Sequence, residues 1–264
     1  MTSNLHATFS GSIPEYYDRY LGPLQFGPFA RELAAHLPAD PGGDVLEIAC
    51  GTGLVTREVR RALVDTRRLF ATDFNKPMLD YARSKVSLAG IEWREADGTN
   101  LPFGDAEFGA VVSGFGLMFM PDKPKAAREA RRVLKPGGLY LFSTWDRIEE
   151  NTCSRVYAET IESLFPGDDE MHFRLPWSMS DDGAIRKLMA DGGFGSVTIE
   201  RRRVPVEPFN PRDIATGQVR GTPRGLLLEK RGMTMDAAID RVAVALEKVR
   251  GNAYGQALLV QARA

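Results

Sequence analysis

Cysteine is scarce in this 264-residue chain, which has only Cys50 and Cys153. Two such thiols imply no disulfide framework and fit a reducing compartment. Histidine occurs three times, and no His, Cys or carboxylate cluster has the spacing of metal ligands, so no metal site is expected. An excess of either charge is also missing. Lys and Arg total 34 against 35 Asp and Glu, a formal net charge of −1. That balance removes the broad basic footprint of a nucleic-acid binder. No apolar run is long enough to span a bilayer; the longest, Val111 to Met120, is interrupted by Ser and Gly. The first 20 residues hold no apolar h-region, so no signal peptide is expected. Repeats and low-complexity tracts are absent, which excludes solenoids and propellers. What is present is ordinary globular composition, 43% hydrophobic and 26% charged, in a chain long enough to bury a large core without staples. A cytoplasmic protein is expected.

Hydrophobic periodicity organises the first 145 residues into alternating strands and helices. Residues 28–37 read as a helix, with Pro28 at its first position and Phe29, Leu33 and Leu37 on one face. DVLEIAC then reads as a doubly buried strand, and Gly51-Thr-Gly53 turns the chain into a helix carrying Val55, Val59, Ala62 and Leu63. Strands follow at 69–73, 91–97, 108–116 and 139–145, with helices opened by Pro77 and Pro124, the second closed by Lys135-Pro136-Gly137-Gly138. Such alternation predicts a parallel sheet with helices on both faces. Beyond Trp145 the pattern loosens: helical 149–164, a loop over 166–180 rich in Met and aromatics, and a short helix over 183–191. A strand at 196–206, a Pro-rich and then helical stretch to 250, and a last strand at ALLVQARA complete the chain.

In an open parallel sheet, ligands bind outside the carboxyl ends of the strands. Asp73 and Asp97 end the second and third strands, and Glu47 lies two residues before the first glycine-containing turn. Asp73 stands where a carboxylate reaches a ribose diol, while Gly51 and Gly53 let backbone pass close to a ligand. A turn residue capping the next helix is the alternative reading of both aspartates. The dinucleotide fingerprint G-x-G-x-x-G requires a third glycine, and position 56 is Thr.

VLEIACGTG, ATDFNKPML, READGTNLPFGDAEFGAVVS and RRVLKPGGLYLFSTW, in that order, resemble the successive motifs of class I S-adenosylmethionine (SAM) methyltransferases, specifically the ubiquinone/menaquinone-biosynthesis type, type 11. The likeness covers roughly residues 15–145. It implies an α/β Rossmann-like fold: a seven-stranded, mostly parallel sheet with an antiparallel last strand, helices on both faces and a C-terminal cap insertion. One methyltransferase domain over 1–264 is expected, with a SAM-binding core at 15–145 and cap segments at 146–195 and 207–253. By position, the resemblance assigns Glu47, Ala49, Gly51 and Gly53 to the methionine part of SAM. It assigns Asp73 to the ribose, Phe74 and Met78 to the adenine, and Asp97 and Gly98 to the adenine edge. Ser113 and Phe115 fall on the methyl-donor side, and Tyr16 and Tyr20 resemble tyrosines that close over SAM. Ala49 departs from the family pattern, where many members have glycine.

Other features carry two readings each. Met118, Phe119 and Met120 line a pocket or form a core stripe, and His172 is a general base or a plain surface histidine. Arg201, Arg202 and Arg203 read as a solvated edge that discourages sheet addition, or as recognition of an acidic substrate. Cys50 reads as a packed turn residue. The implied reaction is in-line displacement on the sulfonium methyl, releasing S-adenosylhomocysteine (SAH), with a base needed only where the acceptor holds its proton. The expected partner is a small-molecule acceptor, with no nucleic acid and no membrane span; the oligomeric state is left open. A non-catalytic SAM-binding regulatory module and a nucleotide-dependent oxidoreductase stand as alternatives.

Overall fold

The computed structural model describes residues 9–264. Residues 1–8, which open the segment read above for a signal peptide, lie outside the described residues. The strands are β1 Val45–Ile48, β2 Leu69–Asp73, β3 Ile91–Glu95, β4 Phe108–Gly114, β5 Leu134–Trp145, β6 Ser196–Pro205 and β7 Tyr254–Arg263. They form one sheet in the order β3-β2-β1-β4-β5-β7-β6. β1 to β5 pair in parallel, while β7 runs antiparallel between β5 and β6.

The helices follow from amphipathic segments and identifiable caps. A short α1 (Ile13–Tyr16) runs into a π-helical segment, Tyr17–Phe26, and on into α2 (Gly27–Ala35). α3 (Leu54–Ala62) starts directly from the left-handed Gly53, and α4 (Lys76–Lys85) is capped by the Asn75 side chain accepting the Met78 amide at 3.2 Å. α5 (Lys123–Val133) is capped in the same way by Asp122. α6 (Thr152–Leu164), α7 (Asp182–Asp191), α8 (Pro211–Arg220), α9 (Arg224–Lys230) and α10 (Met235–Glu247) complete the chain.

Side chains alternate across each strand and divide the core in two. Val45, Leu69, Val112 and Leu141 pack with Leu33 of α2 and Val55 and Val59 of α3. Leu46, Phe70, Val111 and Phe142 pack with Ala127 and Ala130 of α5 and Met189 of α7. Burial on both faces explains why β1 and β2 are wholly buried along their length. A further apolar cluster joins α6, α8, α9 and α10 through Ile161, Ile214, Leu227, Ile239 and Val242.

The structure moves several expected boundaries. Strand β5 begins at Leu134, and the register breaks between Phe108↔Leu134 and Ala110↔Leu139, so Lys135–Gly138 bulge out within the strand. That bulge holds the chain's end: the Gly137 amide donates to Ala264, whose amide donates to Gly138. The loop expected over 166–180 contains two single turns, Asp169–Met171 and Leu175–Trp177. β6 is an edge strand, as the charge run suggested, but its arginines are paired. Arg201 bonds Asp146 at 3.0 Å and Asp182 at 2.6 Å, and Arg203 bonds Glu150 at 2.6 Å.

Asn151 ties the start of α6 to the sheet. It is 3% exposed; its amide donates to the carbonyls of Asp146, Arg147 and Gln256, and its Oδ1 accepts from the Gln256 amide at 3.1 Å. Asn151→Ala strands these buried groups and is expected to destabilise the protein by about 2–4 kcal/mol in urea unfolding. A loss under about 0.5 kcal/mol would show that water replaces the side chain.

Candidate active site

Strand order reverses between β1 and β4, which opens a crevice at their carboxyl ends. The turn after β1 alternates left-handed residues: Ala49 has φ 59°, Gly51 57° and Gly53 83°. The two glycines serve different ends. A side chain at Gly51 would project into open space, so that backbone lies bare toward the crevice, whereas one at Gly53 would strike Val86 and Ala82 of the α4 region. Ala49 tolerates its own side chain because Gly116 opposite has none; a Cβ there would come within 2.5 Å of the Ala49 methyl.

Asp73, 8% exposed, accepts the Gly51 amide at 2.8 Å through Oδ2 and the Asn75 amide at 2.7 Å through Oδ1. Burial raises its pKa, and the two amide bonds pull it back only in part. Glu47 is fully buried on β1. Among the described residues neither of its carboxylate oxygens has a hydrogen-bond partner, nor do the hydroxyls of Thr52, Thr56 and Ser113. Burial pushes the Glu47 pKa up to about 8; the neighbouring Thr56 hydroxyl lowers it, without hydrogen-bond geometry, and the Asp73 charge raises it further. Unpartnered buried polar atoms are rare in folded proteins, and here five of them gather around the end of β1.

Beside this edge lies a cavity of about 870 Å³, counting its mouth. Tyr17, Phe26, Phe115 and Trp145 line its floor, and Tyr157, Phe173, Trp177, Gln218, Thr222 and Arg224 line the rest. Phe115 stacks on Trp145 with centroids 4.1 Å apart and meets Phe26 edge-on at 5.4 Å. Tyr17 joins cavity and crevice. It lines the former, and burial together with the charges of Asp73 and Asp18 holds its hydroxyl far above the usual tyrosine pKa.

The sequence-predicted residues fall as follows. Glu47, Ala49, Gly51, Gly53, Asp73 and Ser113 meet at the ends of β1, β2 and β4. Phe74 is 68% exposed beside Asp73, an unusual setting for a large aromatic, and Met78 is buried in α4. Asp97 is exposed after β3, its Oδ1 accepting both the amide and hydroxyl of Thr99 at 2.8 Å. A side chain at Gly98 would strike Met120 and Ile48, so that glycine serves packing. Tyr16 and Tyr20 stack on each other at 5.9 Å and do not line the cavity; Tyr17 between them does. Met118 is core, whereas Phe119 lines the cavity. His172 is exposed, 3.8 Å from Glu162, and outside the cavity lining. Cys50 is buried, and burial holds its thiol well above the usual pKa. Sequence reasoning missed Tyr17, Trp145, Tyr157, Gln218 and Arg224. The three tyrosines of YYDRY were a signal for Tyr17. Among the described residues no group of three or more His, Cys, Asp or Glu could hold a metal ion, and no helix is long and apolar enough to cross a membrane.

Residues 46–142 match a family described as a methyltransferase domain. The chain is 29% identical over 206 residues to the ubiquinone/menaquinone biosynthesis C-methyltransferase UbiE of Pseudoalteromonas translucida, covering 72% of this chain and 82% of that protein. It is 33% identical over 171 residues to the UbiE protein of Pseudomonas aeruginosa, covering 60% of this chain and 67% of that one. In fold it is similar to a complex between the Haloferax volcanii Trm112 methyltransferase activator and a methyltransferase. That likeness has a TM-score of 0.59 and 20% identity over 99% of this chain and 97% of the other. With the motifs in order, the sheet in the expected topology and relatives of this identity, the chain belongs to the class I SAM-dependent methyltransferases of type 11.

Proposed function

We propose that this enzyme moves the methyl group of SAM to a small-molecule acceptor seated in the aromatic cavity. The observation that carries this is the turn after β4, where Phe115 lines the cavity while the adjoining Gly116 lies against Ala49 of the crevice turn, so that crevice and cavity share a wall. The oxidoreductase alternative loses its basis with the family membership, as it did with Thr56 in the third glycine position.

The crevice fits SAM in its own chemistry. Each Asp73 oxygen keeps a lone pair after accepting one amide, which suits a ribose diol. Glu47, unpartnered and largely neutral below pH 8, suits a cationic amino group that would draw its proton away. The open space before Gly51 lets a ligand approach the backbone, and Phe74 offers an exposed ring to the adenine, with Met78, Asp97 and Gly98 shaping that side. Ala49, Gly53 and Ser113 form the turn and wall around the methionine part. SAM, when bound, supplies an already activated methyl group. The chain's part is to align acceptor with donor and to exclude water. No residue is assigned as general base, and His172, exposed and beside Glu162, is not placed for it. The segments 146–195 and 207–253 act as the cap. They supply Tyr157, Trp177, Gln218 and Arg224, and thereby the walls that select the acceptor.

SAM and SAH are expected to bind in calorimetry and NAD not to; tight NAD binding without SAM would sink the assignment. Asp73→Ala is expected to weaken SAH by about 1.5–3 kcal/mol, and an unchanged affinity in a folded variant would leave Asp73 as a turn residue only. Glu47 sets a pH dependence. The folded chain keeps its proton up to about pH 8 while the unfolded chain releases it near 4.5, so unfolding liberates a proton across that window. Unliganded stability therefore falls as pH rises through the window, by up to about 1.4 kcal/mol per pH unit, and Glu47→Gln flattens this contribution. Identical slopes for the two proteins in pH-resolved urea unfolding would show that Glu47 ionises normally. Trp177→Ala, assayed with whichever acceptor a metabolite panel yields, is expected to raise acceptor KM by about tenfold or more while SAH affinity holds. A drop in melting temperature with KM and kcat intact would reduce the Trp177 segment to packing.

A further inference from the structure

Arg224, at the start of α9, lines the aromatic cavity and is 4% exposed. Among the described residues no carboxylate pairs with it. Its one hydrogen bond runs from Nη2 to the Met171 carbonyl at 2.6 Å, and its Nε is buried without a partner. Glu162, whose carboxyl feels the Arg224 charge, is bound to Arg174 instead. The fold's other buried arginine behaves differently. Arg60, 7% exposed, donates to the carbonyls of Leu63 and Val64 at 3.0 Å and to that of Arg67, with Asp65 3.9 Å away. A buried cation is costly unless paired, and the rings of Tyr157 and Phe173, 5.1 and 5.9 Å from its guanidinium carbon, offset only part of that cost.

Two further donors beside it are idle. Trp177 Nε1 is buried and unpartnered; so is the Tyr157 hydroxyl, which stands near Thr222 without hydrogen-bond geometry, the Thr222 hydroxyl itself donating to the Gln218 carbonyl at 2.8 Å. Apart from the Tyr157 hydroxyl, the one fully buried side-chain acceptor of the lining without a partner among the described residues is Gln218 Oε1. Excess donors around a buried guanidinium suit a group that only accepts, and the guanidinium fork suits a carboxylate. The flat apolar surfaces of Phe115 and Trp145 suit a planar body next to that group.

We propose that the methyl acceptor is a planar apolar acid whose carboxylate is held by Arg224, with Tyr157 and Trp177 as flanking donors. This rests on the assignment of the cavity as the acceptor site. Trp145 and Trp177 in its wall supply a fluorescence signal. The SAH-saturated protein is titrated with 4-hydroxybenzoate, 1-naphthoate and the corresponding amides. At least one acid is expected to quench saturably with a Kd about tenfold or more below that of its amide. Arg224→Met is expected to bring acid and amide within about twofold, and Arg224→Lys to keep part of the preference because the charge stays while the fork is lost. Should Arg224→Met fail to fold, Tyr157→Phe, which removes one donor and no charge, is expected to weaken the acid about twofold to fivefold and leave the amide unchanged. Equal affinity for acid and amide, a preference that survives Arg224→Met or Tyr157→Phe, or no saturable binding of either acid overturns the proposal. SAH calorimetry on the unmodified protein separates the two levels. Absent SAH binding removes the methyltransferase site assignment itself, whereas SAH bound without acid preference removes only the role of Arg224.

Discussion

The carboxylate of Asp73 accepts the amides of Gly51 and Asn75 at 2.8 and 2.7 Å, and the geometry of the whole functional edge depends on those two bonds. Gly51 belongs to the turn after β1 and Asn75 caps α4 after β2, so one side chain locks two neighbouring strand ends together. Around it the Cys50 amide donates to the Thr72 carbonyl at 2.9 Å and the Thr72 hydroxyl to the Glu47 carbonyl at 2.7 Å. The carboxylate sits in a buried place that disfavours its charge, and two backbone amides hold it there. A ligand offering further donors would relieve a group that the fold alone leaves only partly satisfied.

Backbone strain accumulates along the same edge. Ala49 and Phe115 both adopt φ near 60°, a conformation that costs a residue with a side chain about 1–2 kcal/mol. The two are coupled through Gly116, whose missing side chain makes room for the Ala49 methyl. Phe115 is held by packing, its ring pressed against Trp145 at 4.1 Å, Phe26 at 5.4 Å and Phe29 at 5.8 Å. The strained turn thus delivers an aromatic face to the cavity floor at the point where β4 ends. Strain retained at a ligand-facing turn and compensated by surrounding contacts is a pattern of functional sites.

The first 145 residues were legible because their signals are local. Doubly buried strands show as continuous apolar runs, proline and asparagine mark helix starts, and glycines mark the turns, so β1 to β4 and α3 to α5 lie within a few residues of expectation. The errors there have local causes too: in LKPGG a bulge looks like a helix stop, since both use glycine at positive φ. The cavity was not legible. Tyr17 opens a π-helical segment and lines the cavity, whereas the family resemblance singled out its neighbours Tyr16 and Tyr20, which stack on each other instead. Gln218 and Arg224 reach the cavity through the packing of α8 and α9, segments whose own periodicity speaks only of an apolar cluster. Long-range placement of this kind leaves no mark on neighbouring residues in sequence.

The two halves of the site differ in electrostatic character, and that difference bears on how the reaction is helped. Glu47 and Asp73 make the crevice a place for positive charge, while Arg224, Tyr157 and Trp177 make the far side of the cavity a place for negative charge. Between them stands a wall of aromatic rings that carries no formal charge: Tyr17, Phe26, Phe115 and Trp145. On the proposed assignment the cationic donor and the anchored carboxylate of the acceptor lie apart, and methyl transfer discharges the sulfonium while the carboxylate held by Arg224 keeps its charge. Loss of the sulfonium charge is favoured by a dry, weakly polar surrounding, where the cation lacks the solvation that water would give it. Low polarity around the reacting atoms therefore lowers the barrier to transfer, and a base is needed only where the methylated atom holds a proton. On that assignment the segments over the cavity matter chiefly through the water they keep out.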